Sequence, residues 1–231
     1  MKKFMTLVAL CSLGAASAAC AAESREDVQN RLDNATLVLH QIMAAPDNGI
    51  PQEVLEHAKC IAVVPHMIKG GLVFGAENGK GIATCRTGNG WSAPAFFAIT
   101  GGSWGLQIGV EGVDLVMIFQ GDRGMQRLEN AKFQLGADAS VAAGPVGRHA
   151  TADTDWKLNV QVLTYSRAKG LFAGLTLTGA DVRRDDGSMD AFYGPDVSFH
   201  RVLRGEVATP ASASPFIEAV RDAKAQAIAS N

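Results

Sequence analysis

The chain has 231 residues, 47% of them hydrophobic, with 21 basic against 23 acidic residues and a formal charge of −2. That balance excludes a general nucleic-acid-binding surface and broad adhesion to anionic membrane, and the apolar content is that of a globular protein. Glycine is the outlier at 25 residues, concentrated between Gly70 and Gly194, and predicts tight turns, bulges and close backbone approach in a β-rich body.

The N-terminus carries Lys2 and Lys3, an apolar stretch from Phe4 to Leu13 and small residues from Gly14 to Ala19. This is the pattern of a secretion signal over residues 1–19, too short to span a bilayer, which takes about 20 apolar residues. The expectation is export to the periplasm or outer membrane, with the working protein beginning near Cys20. Ser17-Ala18-Ala19-Cys20 reads as a bacterial lipobox that would leave a lipidated Cys20, while Ala16-Ser17-Ala18 reads as an ordinary cleavage site; both remain open. Loss of the signal removes two lysines and no acid, leaving 19 basic and 23 acidic residues, a net −4. Cys11 departs with it and Cys20 is either lipidated or near a frayed terminus, so Cys60 and Cys85 are the remaining pair in an oxidising compartment and are expected to form a disulfide. Two separately buried thiols are the alternative.

Ser24 and Asp27 have capping-box spacing, and Val28, Leu32, Ala35, Leu39 and Ile42 recur at helical intervals, predicting a helix over 25–44. Pro46 and Asp47-Asn48-Gly49 end it, and a second helix is expected over 51–59 with Pro51 in its first turn. Ile61 to Pro65 reads as a short buried strand. Leu72–Ala76 and Gly81–Arg86 read as a hairpin turning at Glu77-Asn78-Gly79-Lys80. Phe96–Thr100 is a strand interrupted by Gly101-Gly102. Leu106, Ile108 and Val110 alternate as a half-exposed strand, and Val113–Phe119 is apolar enough to be buried on both sides. Asp122–Lys132 reads as a helix and Gly136–Gly147 as ambiguous. Leu158–Val162 and Leu175–Thr178 read as strands, Asp185-Asp186-Gly187-Ser188 as a turn, and Ser214-Pro215 as the start of a last helix. No repeat or linker divides the chain. The expected architecture is α+β: a single domain over 24–231, core 58–195, with a bent, largely antiparallel sheet or partial barrel and packed helices.

Several motifs tempt and fail. Gly101-Gly102-Ser103-Trp104-Gly105 fits G-x-S-x-G, but a nucleophile elbow needs a helix after the serine, and here the pattern continues as strand. A serine hydrolase using Ser103 is the third-ranked reading. Gly75 to Gly81 is one residue short of a phosphate loop and lacks the hydroxyl after Lys80. His40, His57, His66, His149 and His200 show no ligand spacing, and Asp181, Asp185, Asp186 and Asp190 lack the glycine placement of a calcium loop, so they read as a solvated acidic turn. No cofactor, metal or catalytic group is expected. What remains is Lys69, Lys80, Arg148, Arg167 and Lys169, cations set in glycine-rich or apolar surroundings that suit an anionic head group with an acyl chain beside it.

Five segments, in order, carry a resemblance. They are Ala58-Lys59-Cys60-Ile61-Ala62-Val63-Val64-Pro65, Gly90-Trp91-Ser92-Ala93-Pro94-Ala95-Phe96, and the stretch from Gly101 to Gly109. Leu135-Gly136-Ala137-Asp138-Ala139-Ser140-Val141-Ala142-Ala143-Gly144-Pro145 and Tyr165-Ser166-Arg167-Ala168-Lys169-Gly170-Leu171-Phe172-Ala173-Gly174 complete the set. Together they resemble the SYLF family of lipid-binding domains over about residues 30–195. The resemblance implies a non-enzymatic, membrane-associated domain that binds anionic phospholipids, including phosphoinositides and phosphatidic acid. Eukaryotic members are coupled to membrane remodelling and actin, a role an exported bacterial protein would not share. The expected ligand is therefore phosphatidic acid or a similar bacterial anionic lipid at a membrane surface, not nucleic acid. A structural or protein-interaction module of the outer membrane, without a lipid site, is the alternative. One departure stands out: the polar face of the first helix (Arg25, Asp27, Gln29, Asn30, Arg31, Asp33) lacks the basic character of an interfacial helix. Either a lipid on Cys20 supplies that contact, or binding is weak.

Overall fold

The capping box closes as expected. Ser24 accepts from the Asp27 amide and the Asp27 carboxylate accepts from Ser24, so α1 runs Arg25–Met43. Its apolar stripe of Val28, Leu32, Ala35, Val38, Leu39 and Ile42 is buried. The computed structural model describes residues 23–45, 49–71, 74–104, 109–130, 132–145, 160–168, 171–174 and 177–229. After α2 (Gln52–His57) the chain enters two long strands, β1 (Ala58–Gly71) and β2 (Phe74–Thr87). Then follow β3 (Gly90–Trp91), β4 (Ala95–Trp104), β5 (Gly109–Gln120), α3 (Gly121–Asn130), β6 (Lys132–Gln134) and β7 (Val141–Ala143). The remainder is β8 (Val162–Ala168), β9 (Leu171–Gly174), β10 (Asp181–Arg184), α4 (Asp186–Tyr193), α5 (Phe199–Leu203) and α6 (Ser214–Ala229). The strands form one sheet in the order β6-β10-β4-β2-β1-β5-β8-β7, with β3 beside β2 and β9 beside β8. Every pairing is antiparallel except β7 with β8. The sheet curls into a half-barrel with helices packed on it, the α+β architecture expected.

The curl has a readable cause. Glu77-Asn78-Gly79-Lys80 is not a turn: these residues lie inside β2, paired to β1 on one side and β4 on the other. Gly79 and Gly81 are needed because their faces are already occupied. A Cβ at Gly79 would lie 2.6 Å from Val64 Cγ1, and one at Gly81 would lie 2.6 Å from Phe97 Cε1. Glycine lets large side chains of neighbouring strands fill the concave side. β1 bends with it through a bulge between Val64 and Met67, where His66 takes a left-handed φ of 54°. Such a φ is uncommon outside glycine, and here the Asp114 carboxylate accepts from the His66 amide at 3.0 Å.

Both sheet faces are covered at mid-strand, so Cys60 through Val64 and Val113 through Phe119 are buried, as their largely apolar runs suggest, with Asp114 the charged exception. On the helix side, Phe96 meets Phe192 of α4 edge-on at 5.2 Å; on the other, Phe119 meets Phe133 at 6.2 Å. Cys60 and Cys85 are register partners and form the expected disulfide between β1 and β2. Asp185-Asp186-Gly187-Ser188 is a helix start, not a free turn: Asp185 caps α4 by accepting from the Ser188 amide. Gly101-Gly102 does not interrupt β4, which pairs with β2 as far as Trp104. Leu106 and Ile108 fall outside the described residues, as do Leu158 and residues 1–19, where a signal is expected.

Candidate functional site: the hairpin rim of the half-barrel

Strand direction brings several chain reversals to one end of the sheet. β1 ends at Gly71 and β2 begins at Phe74, β4 ends at Trp104 and β5 begins at Gly109, β8 ends at Ala168 and β9 begins at Leu171. Antiparallel pairing along β2–β4, β1–β5 and β5–β8 puts these ends on the same rim. The rim is rich in glycines (Gly70, Gly71, Gly75, Gly101, Gly102, Gly109, Gly112), which have no side chains to cover the backbone.

Two ion pairs mark it. Lys69 lies opposite Glu77 on β2 and opposite Glu111 on β5, and its ammonium sits 2.9 Å from the Glu77 carboxylate. Glu77 is only 8% exposed and the Lys69 side chain 14%, so this pair is largely withdrawn from water. Gly101, across from Glu77 on β4, packs closely against Ala180: a Cβ there would be 3.1 Å from Ala180 Cβ and in ordinary contact with Glu77 Oε2 at 3.7 Å. On β8, Arg167 donates through Nε and Nη2 to Asp114 Oδ2 at 3.1 and 2.6 Å. The His66 ring lies 3.9 Å from the same carboxylate. Strand alternation puts Lys69 on the face of Met67 and Val113, and Arg167 with Asp114 on the other face. Tyr165, two residues before Arg167, is buried, which pushes its phenol well above its ordinary range.

Between the two cations stands Ile68. It is 55% exposed, flanked across the sheet by Asn78 and Gly112, and a Cβ at Gly112 would meet nothing within 4 Å. An apolar side chain in the open on a strand, next to a lysine, is the feature of the rim that packing does not explain.

Lys80 belongs elsewhere. It projects toward the helices, where its ammonium is 3.0 Å from Asp185 and also pairs with Glu23, just before α1. Glu23 in turn pairs with Arg31 of α1, whose Nη1 donates to Ser188 Oγ at 2.8 Å. Burial alone would raise the Asp185 carboxyl, but hydrogen bonds from Ser188 and Lys80 outweigh it and hold it below the ordinary carboxylate value. Burial likewise lowers the Arg31 guanidinium, against the pull of Asp185. So the structure brings Lys69 and Arg167 to one rim on opposite faces, and places Lys80 in a separate cluster. Arg148, Lys169 and Cys20 lie outside the described residues. In the sequence, Asp185 and Ser188 read only as a solvated turn and Arg31 only as part of a polar helix face, and nothing singles out Glu23. The Asp-x-x-Ser spacing at 185–188 is the one local signal that could have found part of the cluster, since it is the signature of a helix N-cap. Ser103 sits within β4, and the next element among the described residues is β5, not the helix that a nucleophile elbow requires.

The family described as Ysc84, Las17-binding protein actin regulator, matches residues 100–223, from the rim end of β4 through most of α6. The chain belongs to the Ysc84 family, the SYLF-domain family. SH3 domain-containing YSC84-like protein 1 of Rattus norvegicus is 35% identical over 175 residues, covering 75% of this chain and 51% of the relative. Its Homo sapiens counterpart is 34% identical over 175 residues, with the same shares. Protein YSC84 of Saccharomyces cerevisiae is 34% identical over 182 residues, covering 77% of this chain and 38% of the relative. The chain thus spans about half the length of the mammalian Ysc84 relatives it matches, and less of the yeast one.

Proposed function

We propose that this Ysc84-family chain is a non-enzymatic envelope protein that binds anionic phospholipid, such as phosphatidic acid, at a membrane surface through the hairpin rim. The observation that carries the reading is Ile68, exposed on the rim between Lys69 and Arg167. An apolar residue that can enter the acyl boundary, with cations at head-group level beside it, is the minimal chemistry of interfacial binding. Lys169 adjoins Ala168 in sequence and Arg148 follows Pro145 closely, so both remain candidates with Lys69 and Arg167, and Lys80 is a candidate at its own site.

The test is sedimentation of the mature chain with neutral vesicles and with neutral vesicles carrying phosphatidic acid. Salt-sensitive binding to the acidic vesicles alone is expected. Burying a whole isoleucine side chain is worth about 1.5–3 kcal/mol, so immersing the 55% of Ile68 that is exposed contributes about 1–1.5 kcal/mol. Ile68→Ser should therefore weaken binding roughly five- to tenfold, and charge reversal at Arg167 and Lys169 should abolish it.

A second reading has its own observation. Lys69, Lys80 and Arg167 each have a carboxylate partner within the chain, which suits a module held rigid for protein contacts. Absence of binding to either vesicle would favour that reading and remove the first.

A further inference from the structure

The cluster at Lys80 has the construction of an anion site already holding an anion. Two cations from different elements, Arg31 of α1 and Lys80 of β2, converge on the Glu23 carboxylate. Its Oε1 meets the guanidinium and its Oε2 meets the ammonium. The cations are pre-positioned without Glu23. The Arg31 side chain is only 9% exposed and is held by Ser188 Oγ at 2.8 Å, with Asp185 3.5 Å away, and Asp185 also fixes Lys80 at 3.0 Å. Asp185 is in turn fixed as the cap of α4 by the Ser188 amide and hydroxyl, at 3.2 and 2.6 Å. Glu23 differs from the other members: it lies outside any helix or strand, at the start of the described chain, and is the member that can leave without breaking an element.

We infer that Arg31 and Lys80 form a binding site for a monoanionic phosphodiester, and that Glu23 is the built-in carboxylate occupying it. Charge selects the ligand class. Among the groups in ion-pair contact, Arg31 and Lys80 against Asp185 leave one positive charge once Glu23 departs, the exposed Asp27 acting on Arg31 more weakly than Asp185 does, and a phosphodiester restores that balance as Glu23 does. A doubly charged phosphate monoester would leave the part-buried cluster net negative, at a desolvation cost. Two non-bridging oxygens then take the places of Oε1 and Oε2, one on the Arg31 guanidinium and one on the Lys80 ammonium. The same chemistry is offered by a phosphodiester lipid head group and by a soluble diester; choosing the lipid rests on the function proposed above, while the site itself does not.

The experiment uses the mature chain, its Glu23→Gln variant and the Glu23→Gln/Lys80→Gln double variant, with Glu23→Asp as a carboxylate-retaining control. Each is titrated with dimethyl phosphate by calorimetry and sedimented with phosphatidylcholine vesicles, with and without phosphatidylglycerol. Removing a tethered competitor should raise affinity for dimethyl phosphate about tenfold in Glu23→Gln, and the double variant should lose the gain. A gain for both dimethyl phosphate and the anionic vesicles supports the site and the lipid function together. A gain for dimethyl phosphate without one for vesicles supports the site and counts against its taking a lipid head group. A folded Glu23→Gln with no gain for either overturns the site, even if the mature chain binds acidic vesicles through its rim. Should Glu23→Gln not fold, the Arg31 Nε resonance of the mature chain is followed instead. A saturable shift with dimethyl phosphate supports the site, and an unchanged resonance overturns it.

Discussion

Replacing Lys69 by methionine should destabilise the protein by about 3 kcal/mol, through the carboxylate it leaves behind. The variant keeps the apolar stem and removes the ammonium 2.9 Å from Glu77. Breaking a fully buried ion pair costs about 3–5 kcal/mol, because the surviving charge is desolvated without a partner. Glu77 is 8% exposed and Lys69 a little more, so the lower end of that range applies. Glu111 faces Lys69 from β5 but is exposed, so Glu111→Gln should shift stability by less than about 0.5 kcal/mol. Changing Lys69 and Glu77 together to methionine removes both charges and should return stability to within about 1 kcal/mol of the parent. Urea unfolding of the oxidised protein measures all four, with equal slopes required before midpoints are compared. If Lys69→Met costs under about 1 kcal/mol, or if Glu111→Gln costs as much, the pair is solvated and the concave rim is open to water. Lys69 would then be free to meet a head group directly. If the large cost is observed, Lys69 is first a structural cation, and loss of vesicle binding in its variants cannot be read as loss of a lipid contact unless the double variant loses it too.

The curl of the sheet gives a paired test: Gly81→Ala would drive a Cβ to 2.8 Å from Val64 Cγ2 and should cost about 1–3 kcal/mol, whereas Gly112→Ala meets open space and should cost almost nothing by the same denaturation assay. The Cys60–Cys85 bridge closes a separation of 25 residues, so replacing both by alanine should lower stability by about 3–4 kcal/mol on a chain-entropy account, and alkylation of the parent should label neither thiol before reduction. Asp185 is held below its ordinary value of 3.8, so its contribution is present above that pH and is lost as pH falls through the lower folded value. Thermal melts from pH 7 to pH 2 should show an acid-side decline beginning near pH 4 that is shallower in Asp185→Asn; an unchanged decline would place the acid sensitivity in other carboxylates.

What the sequence made legible was what depends on neighbours along the chain. The α1 cap, its apolar stripe and its end within one residue were all readable from 24–44, because capping and helical periodicity are local. The buried character of 113–119 was readable because a strand covered on both faces cannot alternate. Asn78-Gly79 misled for a physical reason: glycine permits a turn, and equally permits two large side chains to approach a flat strand. Only the positions of Val64, Met67 and Phe97, on other strands, decide between the two. Asp185-Asp186-Gly187-Ser188 misled likewise, since the residues that begin a helix also make turns and the helix that follows has only eight residues in which to show its period.

The arrangement of the candidate residues was not legible in the sequence. Glycine-rich and apolar context picked out Lys69 and Arg167 as cations suited to an anionic head group, but context along the chain does not reveal the acid across the strand. Glu77 precedes Asn78-Gly79 in what read as a turn, and Asp114 opens an apolar run, yet each becomes the partner of a cation through register alone. Register also decides which face a charge occupies, and a shift by one residue would exchange them. Lys69 and Arg167 therefore cannot act as one flat basic patch. A membrane meeting the rim edge-on could reach both cations and Ile68, whereas one lying against either sheet face could reach only one of them. Edge-on approach is thus the orientation the rim's charges allow, and spin labels at residue 68 and on the exposed side of α1 would separate it from face-on docking by their relative depth in the bilayer.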